Sequence, residues 1–219
     1  MSLMTDVIQQ EVRIDTHHVS LAGLLAAPQQ AKGVIIFAHG SGSSRFSPRN
    51  RHVAGLLNRA RYATLLFDLL TSEEEERERF TRHLRFNIGF LAERLIYAAR
   101  WVTDHGITAT PAIGYFGAST GAAAALVATA HDPGSVRAIV SRGGRPDLAE
   151  PVLSGLTVPV CLIVGGYDSV VIELNRAAAA KLSGPVQLKV VPEAGHLFEE
   201  PGKLAEVARL TVDWLDRYF

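Results

Sequence analysis

The stretch Gly114–Gly121, GYFGASTG, followed by the alanine-rich residues 122–130, decides how this chain folds. It predicts a short buried strand, a sharp turn and a helix. The turn carries a Gly-x-Ser-x-Gly pattern made by Gly117, Ser119 and Gly121. Such a turn lifts a serine hydroxyl above the end of a sheet, and it requires small neighbours because strand and helix approach closely there. We therefore expect Ser119 to be a nucleophile.

Length and composition narrow the class of protein. The chain has 219 residues, of which 47% are hydrophobic and 20% charged, as is typical of one globular domain spanning 1–219. Lys plus Arg and Asp plus Glu both number 22, so the formal net charge is zero. A nucleic-acid binder would carry a basic excess, so we expect no nucleic-acid partner.

The compartment is predicted from what the sequence lacks. The single cysteine, Cys161, lies within an apolar run and is expected to be an inert core residue. No intramolecular disulfide is possible, which agrees with a reducing cytoplasm. The first ten residues do not resemble a signal peptide, and no run approaches the ~20 apolar residues of a membrane span. We expect a cytoplasmic protein with no membrane association.

Strand and helix patterns alternate along the chain. Residues 11–15 and 19–27 predict an opening antiparallel hairpin. Further apolar runs predict buried strands, at 33–38, 62–69, 112–116, 136–140, 158–164 and 186–191. The alternation predicts an α/β fold with a mostly parallel central sheet of about eight strands and helices on both faces. Ligands of such sheets bind at the carboxyl ends of the strands.

The segment after the second buried strand is the most charged part of the chain. Residues 71–79, TSEEEERER, predict a solvated loop and a first helical turn capped by Thr71 or Ser72. From Leu84 to Val102 the apolar residues recur at steps of three and four, which predicts one long amphipathic helix ended by Gly106.

A serine nucleophile needs a histidine base and a carboxylate that orients it. His196 follows the final strand in a glycine-containing loop, and Asp168 ends the strand before it. Asp147 is the alternative carboxylate, but it follows a proline and is typical of a first helical turn. The order serine, acid, histidine favours Ser119, Asp168 and His196 as catalytic residues.

Two backbone N–H groups are expected to stabilise an oxyanion. The residue after the nucleophile, Thr120, supplies one, and Ser41 in the loop 39–42 is predicted to supply the other. His39 begins that loop, and we expect it to brace the loop by hydrogen bonding. The predicted catalytic residues and oxyanion donors therefore come from four separate loops.

Four motifs together resemble a known superfamily. They are FAHGSG (37–42), GASTG (117–121), VGGYD (164–168) and AGH (194–196). Their order is similar to that of α/β-hydrolases, and the small size without a cap insertion resembles the dienelactone hydrolase group. That group typically has a cysteine at the position of Ser119. The resemblance implies an α/β-hydrolase fold with no cap domain, and hydrolysis of an ester, lactone or related acyl bond. Stretches FDLLTSEEE and SRGGRPDL also resemble bacterial members, some of them fused to phosphoribosyltransferase domains.

The expected partner is a small soluble substrate, with the chain a monomer or homodimer. Neither a metal nor another cofactor is expected, because no metal-ligand spacing or phosphate-loop pattern occurs. Arg142 follows a strand and is a possible substrate-binding residue that, with Arg45 and Arg49, would favour anionic substrates. The alternatives are surface or ion-paired arginines, an acyltransferase or peptidase using the same triad, and an inactive binding or scaffold protein.

Overall fold

The computed structural model describes residues 7–108 and 112–219 and contains a single eight-stranded sheet in that part of the chain. The strands are β1 (Val7–Asp15), β2 (Ser20–Pro28), β3 (Val34–Ala38), β4 (Ala63–Phe67), β5 (Ile113–Ala118), β6 (Ala138–Arg142), β7 (Val160–Gly165) and β8 (Val186–Val191). The helices are α1 (Pro48–Arg59), α2 (Ser72–Thr81), α3 (Ile88–Asp104), α4 (Thr120–His131), α5 (Ser169–Ala179) and α6 (Lys203–Leu215). Two 3-10 segments occupy Leu84–Phe86 and Pro146–Gly155.

The strand order is β1-β2-β4-β3-β5-β6-β7-β8. The hairpin β1–β2 is antiparallel and β2 pairs antiparallel with β4, whereas all pairs from β4 to β8 are parallel. The predicted opening hairpin and mostly parallel sheet are therefore confirmed. The parallel strands all end at one edge, and that edge gathers the loops after β3, β5, β6, β7 and β8.

Each face of the sheet is covered by helices because the central strands are apolar on both sides. Ile36 and Tyr115 belong to the core under α3 and α4. Phe37, Phe116 and Val140 belong to a second core under α1 and α6. A continuous apolar run such as VIIFA in β3 contributes side chains to both cores, because successive side chains of a strand point to opposite faces of the sheet. The sheet is thus a rigid platform for the loops at its carboxyl edge.

The long amphipathic helix predicted from Leu84 is confirmed as α3, but its predicted start is wrong, because the structure divides this region before Ile88. The charged segment forms α2, with Thr71 as its cap, and α2 ends at Arg82 in the left-handed conformation, with φ 52°. Leu84–Phe86 is a separate 3-10 turn, and α3 begins after Asn87, whose side chain accepts from the Phe90 N–H at 3.1 Å.

The prediction that the charged segment is simply solvated is also wrong in part. Glu78 is 1% exposed. Its carboxylate accepts hydrogen bonds that shape the turn after α2, from Thr81 Oγ1, the N–H groups of His83, Leu84 and Arg85, and Arg85 Nε. Burial raises the pKa of this carboxyl, but those donors outweigh burial and lower it from 4.5 to about 2.

Among the described helices, none combines the length and apolar character needed to cross a membrane.

Candidate active site

The turn between β5 and α4 holds Ser119 in a strained conformation. Its φ is 50° and its ψ is −119°, outside the regions that non-glycine residues normally occupy. A Cβ on Gly117 would lie 2.4 Å from Ala122 Cα, and one on Gly121 would lie 2.2 Å from the Ala38 carbonyl oxygen. Only glycine fits at both positions, as the motif predicted. This is the geometry of a nucleophile elbow.

Backbone hydrogen bonds fix the elbow from below. The Ser119 N–H donates to the Arg142 carbonyl at 3.3 Å. The Ser119 carbonyl accepts from the N–H groups of Ala122 and Arg145, each at 3.1 Å. The strain at Ser119 is therefore held by its neighbours on α4 and on the loop after β6, which is how strained residues persist at functional sites.

Asp168 and His196 are brought together at the same edge of the sheet. His196 Nδ1 lies 2.6 Å from Asp168 Oδ2. Because an ionised carboxylate only accepts, Nδ1 carries the proton of this hydrogen bond and Nε2 of a neutral ring is left as the proton acceptor. The Asp168 side chain is 17% exposed and that of His196 39%, so His196 reaches solvent while Asp168 is sheltered.

The two halves of the predicted triad are not joined by a hydrogen bond. Within residues 7–108 and 112–219, none links Ser119 Oγ to His196. Catalytic hydrogen bonds often tighten only when substrate is bound, so this geometry is compatible with a general base. Asp147, the alternative acid, instead accepts from the side chain of Arg145 at 2.8 and 2.7 Å.

The loop after β6 forms a wall beside His196. Gly143 has φ 53°, and a Cβ there would lie 3.1 Å from the His196 carbonyl oxygen and 3.4 Å from ring atom Cε1. The Asn175 side chain donates to the Gly144 carbonyl at 3.0 Å and holds this wall in place. The sequence analysis did not identify Gly143 or Asn175 as functional residues. The Gly-Gly pair after a buried strand was a signal that could have pointed to Gly143.

The Glu200 carboxylate organises the loop that carries His196. Glu200 Oε1 accepts from the Gly195 N–H at 2.8 Å. The Ala194 carbonyl accepts from the Tyr167 N–H at 2.9 Å, which connects the loop of His196 to the loop of Asp168. His196 is therefore oriented through its side chain and through the backbone on its N-terminal side.

His39 braces the loop 39–42, the predicted oxyanion loop, as we expected. Its Nε2 accepts from the Leu69 N–H at 3.1 Å, and Nδ1 lies 3.0 Å from the Gly40 carbonyl oxygen. Burial is the largest influence and lowers the pKa of His39, although Gly40 and the charge of Asp68 oppose it. His39 is therefore a neutral ring protonated on Nδ1, engaged on both sides and unavailable as a base.

The two predicted oxyanion donors, Ser41 and Thr120, lie side by side. A Cβ on Gly40 would lie 3.2 Å from Ser119 Cβ, so the loop contacts the elbow. The Ser41 N–H donates to Thr120 Oγ1 at 3.0 Å. The Thr120 N–H lies in the first turn of α4, where backbone N–H groups have no acceptor within the helix. The sequence analysis did not predict that the Ser41 N–H would be bound by the Thr120 side chain.

Arg142 is buried, not placed at a pocket rim. The residue is 7% exposed, and its guanidinium donates to Asn50 Oδ1 at 3.3 Å and to the Leu197 carbonyl at 3.5 Å. Burial, with a smaller effect of Arg49, lowers the pKa of Arg142 to about 10. Arg45 pairs with Asp68, and Arg49 pairs with Glu199.

An open cleft of about 760 Å³ lies between the oxyanion loop and α2. Hydroxyl and charged side chains dominate its lining, among them Ser43, Ser44, Ser47, Arg49, Asp68, Thr71, Ser72, Glu75, Glu76 and Arg79.

Cys161 lies away from this region in the second core, and burial raises the pKa of its thiol to about 12. Among the described residues, no group of three or more His, Cys, Asp or Glu side chains is arranged to hold a metal.

Comparison with known proteins places this geometry in a family. A model of the dienelactone hydrolase family matches residues 21–217. The crystal structure of a dienelactone hydrolase from Anabaena variabilis ATCC 29413 is 52% identical, with a TM-score of 0.94 over 97% of this chain and 99% of that one. Est1E from Butyrivibrio proteoclasticus is 15% identical, with a TM-score of 0.75 over 94% and 99% of the two chains, and so shares the fold.

A curated relative is much longer than this chain. It is a protein of Mycobacterium tuberculosis (strain ATCC 25618 / H37Rv) that is named a "Putative phosphoribosyl transferase". The two are 54% identical over 205 residues, which are 94% of this chain and 45% of that protein. The chain therefore spans about half the length of the curated relatives it matches.

Proposed function

Because the chain belongs to the dienelactone hydrolase family, we propose that it is a serine hydrolase that cleaves an ester, lactone or related acyl bond of a small soluble substrate. The observation that carries the proposal is the pairing of His196 with Asp168 at 2.6 Å, at the same edge of the sheet as the strained Ser119. A neutral histidine held by a carboxylate is the base that a serine hydroxyl requires.

In the proposed mechanism, His196 Nε2 removes the proton of the Ser119 hydroxyl as Ser119 Oγ attacks the carbonyl carbon. Asp168 keeps the proton on Nδ1 and stabilises the imidazolium. The carbonyl oxygen becomes an oxyanion beside the N-terminus of α4, where the Thr120 N–H offers a donor and Ser41 adjoins the same position through its hydrogen bond to Thr120 Oγ1. The protonated His196 then gives its proton to the leaving alcohol.

Water completes the reaction. It attacks the acyl group on Ser119 with His196 as general base, and His196 then returns the proton to Ser119 Oγ as the acid product leaves. Serine is a poorer nucleophile than the thiolate typical of this group. The reaction with Ser119 therefore depends on His196 more strongly than the reaction of a cysteine enzyme depends on its histidine. The cleft beside the loop 39–42 is lined by hydroxyl and charged side chains, and the described residues include no cap insertion, so we expect a small, polar substrate.

The proposal is tested with a panel of p-nitrophenyl esters and lactones. Wild type is expected to release an initial burst of nitrophenol, because acylation of Ser119 by an activated ester is expected to be faster than the attack of water on the acyl group. Ser119→Ala is expected to lose the burst and nearly all turnover. Full turnover by Ser119→Ala contradicts the assignment. Turnover that needs an added alcohol or amine favours an acyltransferase, and cleavage of peptides alone favours a peptidase.

Anion selection by Arg142 is a separate proposal. Its guanidinium has no carboxylate partner among the described residues, and its Nε is buried without a hydrogen bond. The ratio of kcat/KM for an anionic and a neutral ester of equal size is expected to fall in Arg142→Ala. An unchanged ratio would assign Arg142 to the support of the His196 loop through Leu197.

A further inference from the structure

The hydroxyl of Thr120 occupies the contact between the oxyanion loop and the nucleophile elbow. Resting on the hydrolase function proposed above, we propose that this hydroxyl is itself a catalytic hydrogen-bond donor to the substrate oxyanion. Ser41 then acts through Thr120, because its N–H donates to Thr120 Oγ1 at 3.0 Å. Thr120 would contribute two donors, its N–H and its O–H.

The hydrogen-bonding capacity of the hydroxyl leads to this role. A threonine hydroxyl has one proton to donate and two lone pairs. The bond from Ser41 uses a lone pair and leaves the proton free. Within the described part of the chain, no acceptor for that proton is found, although Thr120 is only 4% exposed. A buried donor without an acceptor is costly, so a ligand that accepts there is favoured.

The position of the hydroxyl matches the place where negative charge develops. Thr120 is the first residue of α4 and directly follows Ser119, so both its N–H and its O–H belong to the residue adjacent to the nucleophile. Gly40 lies against Ser119 Cβ, which brings the loop within reach of the same oxygen. A hydroxyl that accepts from one N–H also becomes a stronger donor, because successive hydrogen bonds polarise one another.

A small void competes with the substrate oxyanion as the place to which the Thr120 hydroxyl proton points. A void of about 10 Å³ borders Thr120, Gly42 and Arg85 behind the loop, and it is large enough for about one water molecule. If the hydroxyl points there, Thr120 only braces the loop. The roles make opposite predictions for Thr120→Val. Loss of a catalytic donor slows acylation, whereas removal of a brace frees the Ser41 N–H for direct donation.

The test compares Thr120→Val and Thr120→Ser with Thr129→Val. Thr129 lies on the same helix, is also 4% exposed, and donates to the Ala125 carbonyl, so it matches the loss of a buried hydroxyl away from the site. Two quantities are measured: the acylation rate constant with p-nitrophenyl acetate, and the affinity for a trifluoromethyl ketone that forms a tetrahedral adduct on Ser119. Circular dichroism checks folding, and Thr120→Ala replaces the valine variant if that variant is unfolded.

Thr120→Val is expected to lower both quantities by about 10- to 100-fold with little change in KM. Thr120→Ser should recover most of the loss, and Thr129→Val should match wild type. An acylation rate within twofold of wild type, a faster rate, or a change confined to KM overturns the proposal. A wild type that forms no adduct on Ser119 overturns the hydrolase function as well, so the two failures are distinguishable.

Discussion

Gly143→Ala tests whether the wall beside His196 sets the position of the base. Gly143 has φ 53°, a left-handed conformation that costs an alanine roughly 1–2 kcal/mol. A Cβ would also lie 3.1 Å from the His196 carbonyl oxygen, so the backbone of His196 must move by a few tenths of an ångström. The substitution therefore adds a steric effect on the base to a backbone effect on stability.

Gly106→Ala is the matched control. Gly106 has φ 56°, and a Cβ there would have no neighbour within 4 Å. Both variants should lose roughly 1–2 kcal/mol of unfolding free energy, corresponding to about 2–4 °C in Tm per kcal/mol for a domain of this size. Only Gly143→Ala displaces His196. Because misplacing a catalytic group by about 1 Å costs ~10²-fold, we expect a loss of about tenfold in kcat for the smaller shift.

The assay combines urea unfolding with p-nitrophenyl acetate hydrolysis under conditions where both variants are folded. The expected result is similar destabilisation of the two variants and a loss of kcat confined to Gly143→Ala. If the two variants keep the same kcat, the contact between Gly143 and His196 does not position the base. A much greater loss of stability in Gly143→Ala alone would refute the proposed division between backbone and steric effects.

Three further predictions follow from single residues. The pKa of Glu78 is lowered to about 2, so its ionised form stabilises the fold; this contribution is full above pH ~4.5 and is lost as pH falls towards 2. Glu78→Gln should therefore destabilise the protein at pH 7 and weaken the acid dependence seen in urea unfolding, and an unchanged pH profile would contradict this. Asp168→Asn should lower kcat by about 10⁴-fold through the wrong tautomer of His196, and a loss below tenfold would exclude Asp168 as the orienting acid. The Cys161 thiol, with its pKa raised to about 12 by burial, should resist iodoacetamide at pH 8 until the protein unfolds; rapid alkylation of folded protein, detected by mass spectrometry, would contradict this.

Much of the fold was predictable because its signals are local. Buried strands such as VIIFA are continuous apolar runs, and the elbow around Ser119 needs glycine at two fixed positions. Because parallel strands end at one edge of the sheet, the loops carrying Asp168 and His196 are expected to lie close together there. The pairing of these two side chains at 2.6 Å agrees with the expectation from chain order alone.

The remaining features depend on contacts between distant residues or on the burial of a single charged side chain. The bond between Ser41 and Thr120 joins segments 79 residues apart, and no pattern within either segment encodes it. The later start of α3 was missed because the apolar spacing of Leu84 and Ile88 continues through the turn that precedes this helix. The turn is stabilised by Glu78, and a buried carboxylate inside a charged run contradicts the usual rule that such runs are solvated.

The central claim is that Ser119 is an activated nucleophile, and labelling with a fluorophosphonate followed by peptide mass mapping tests it most directly. Wild type and Ser119→Ala are compared after circular dichroism has established that both are folded. We predict a single modified peptide carrying the label on Ser119 in wild type and no labelling of the alanine variant. Folded wild type that stays unlabelled, or a label on another residue in both proteins, would contradict the claim and favour a non-catalytic binding protein.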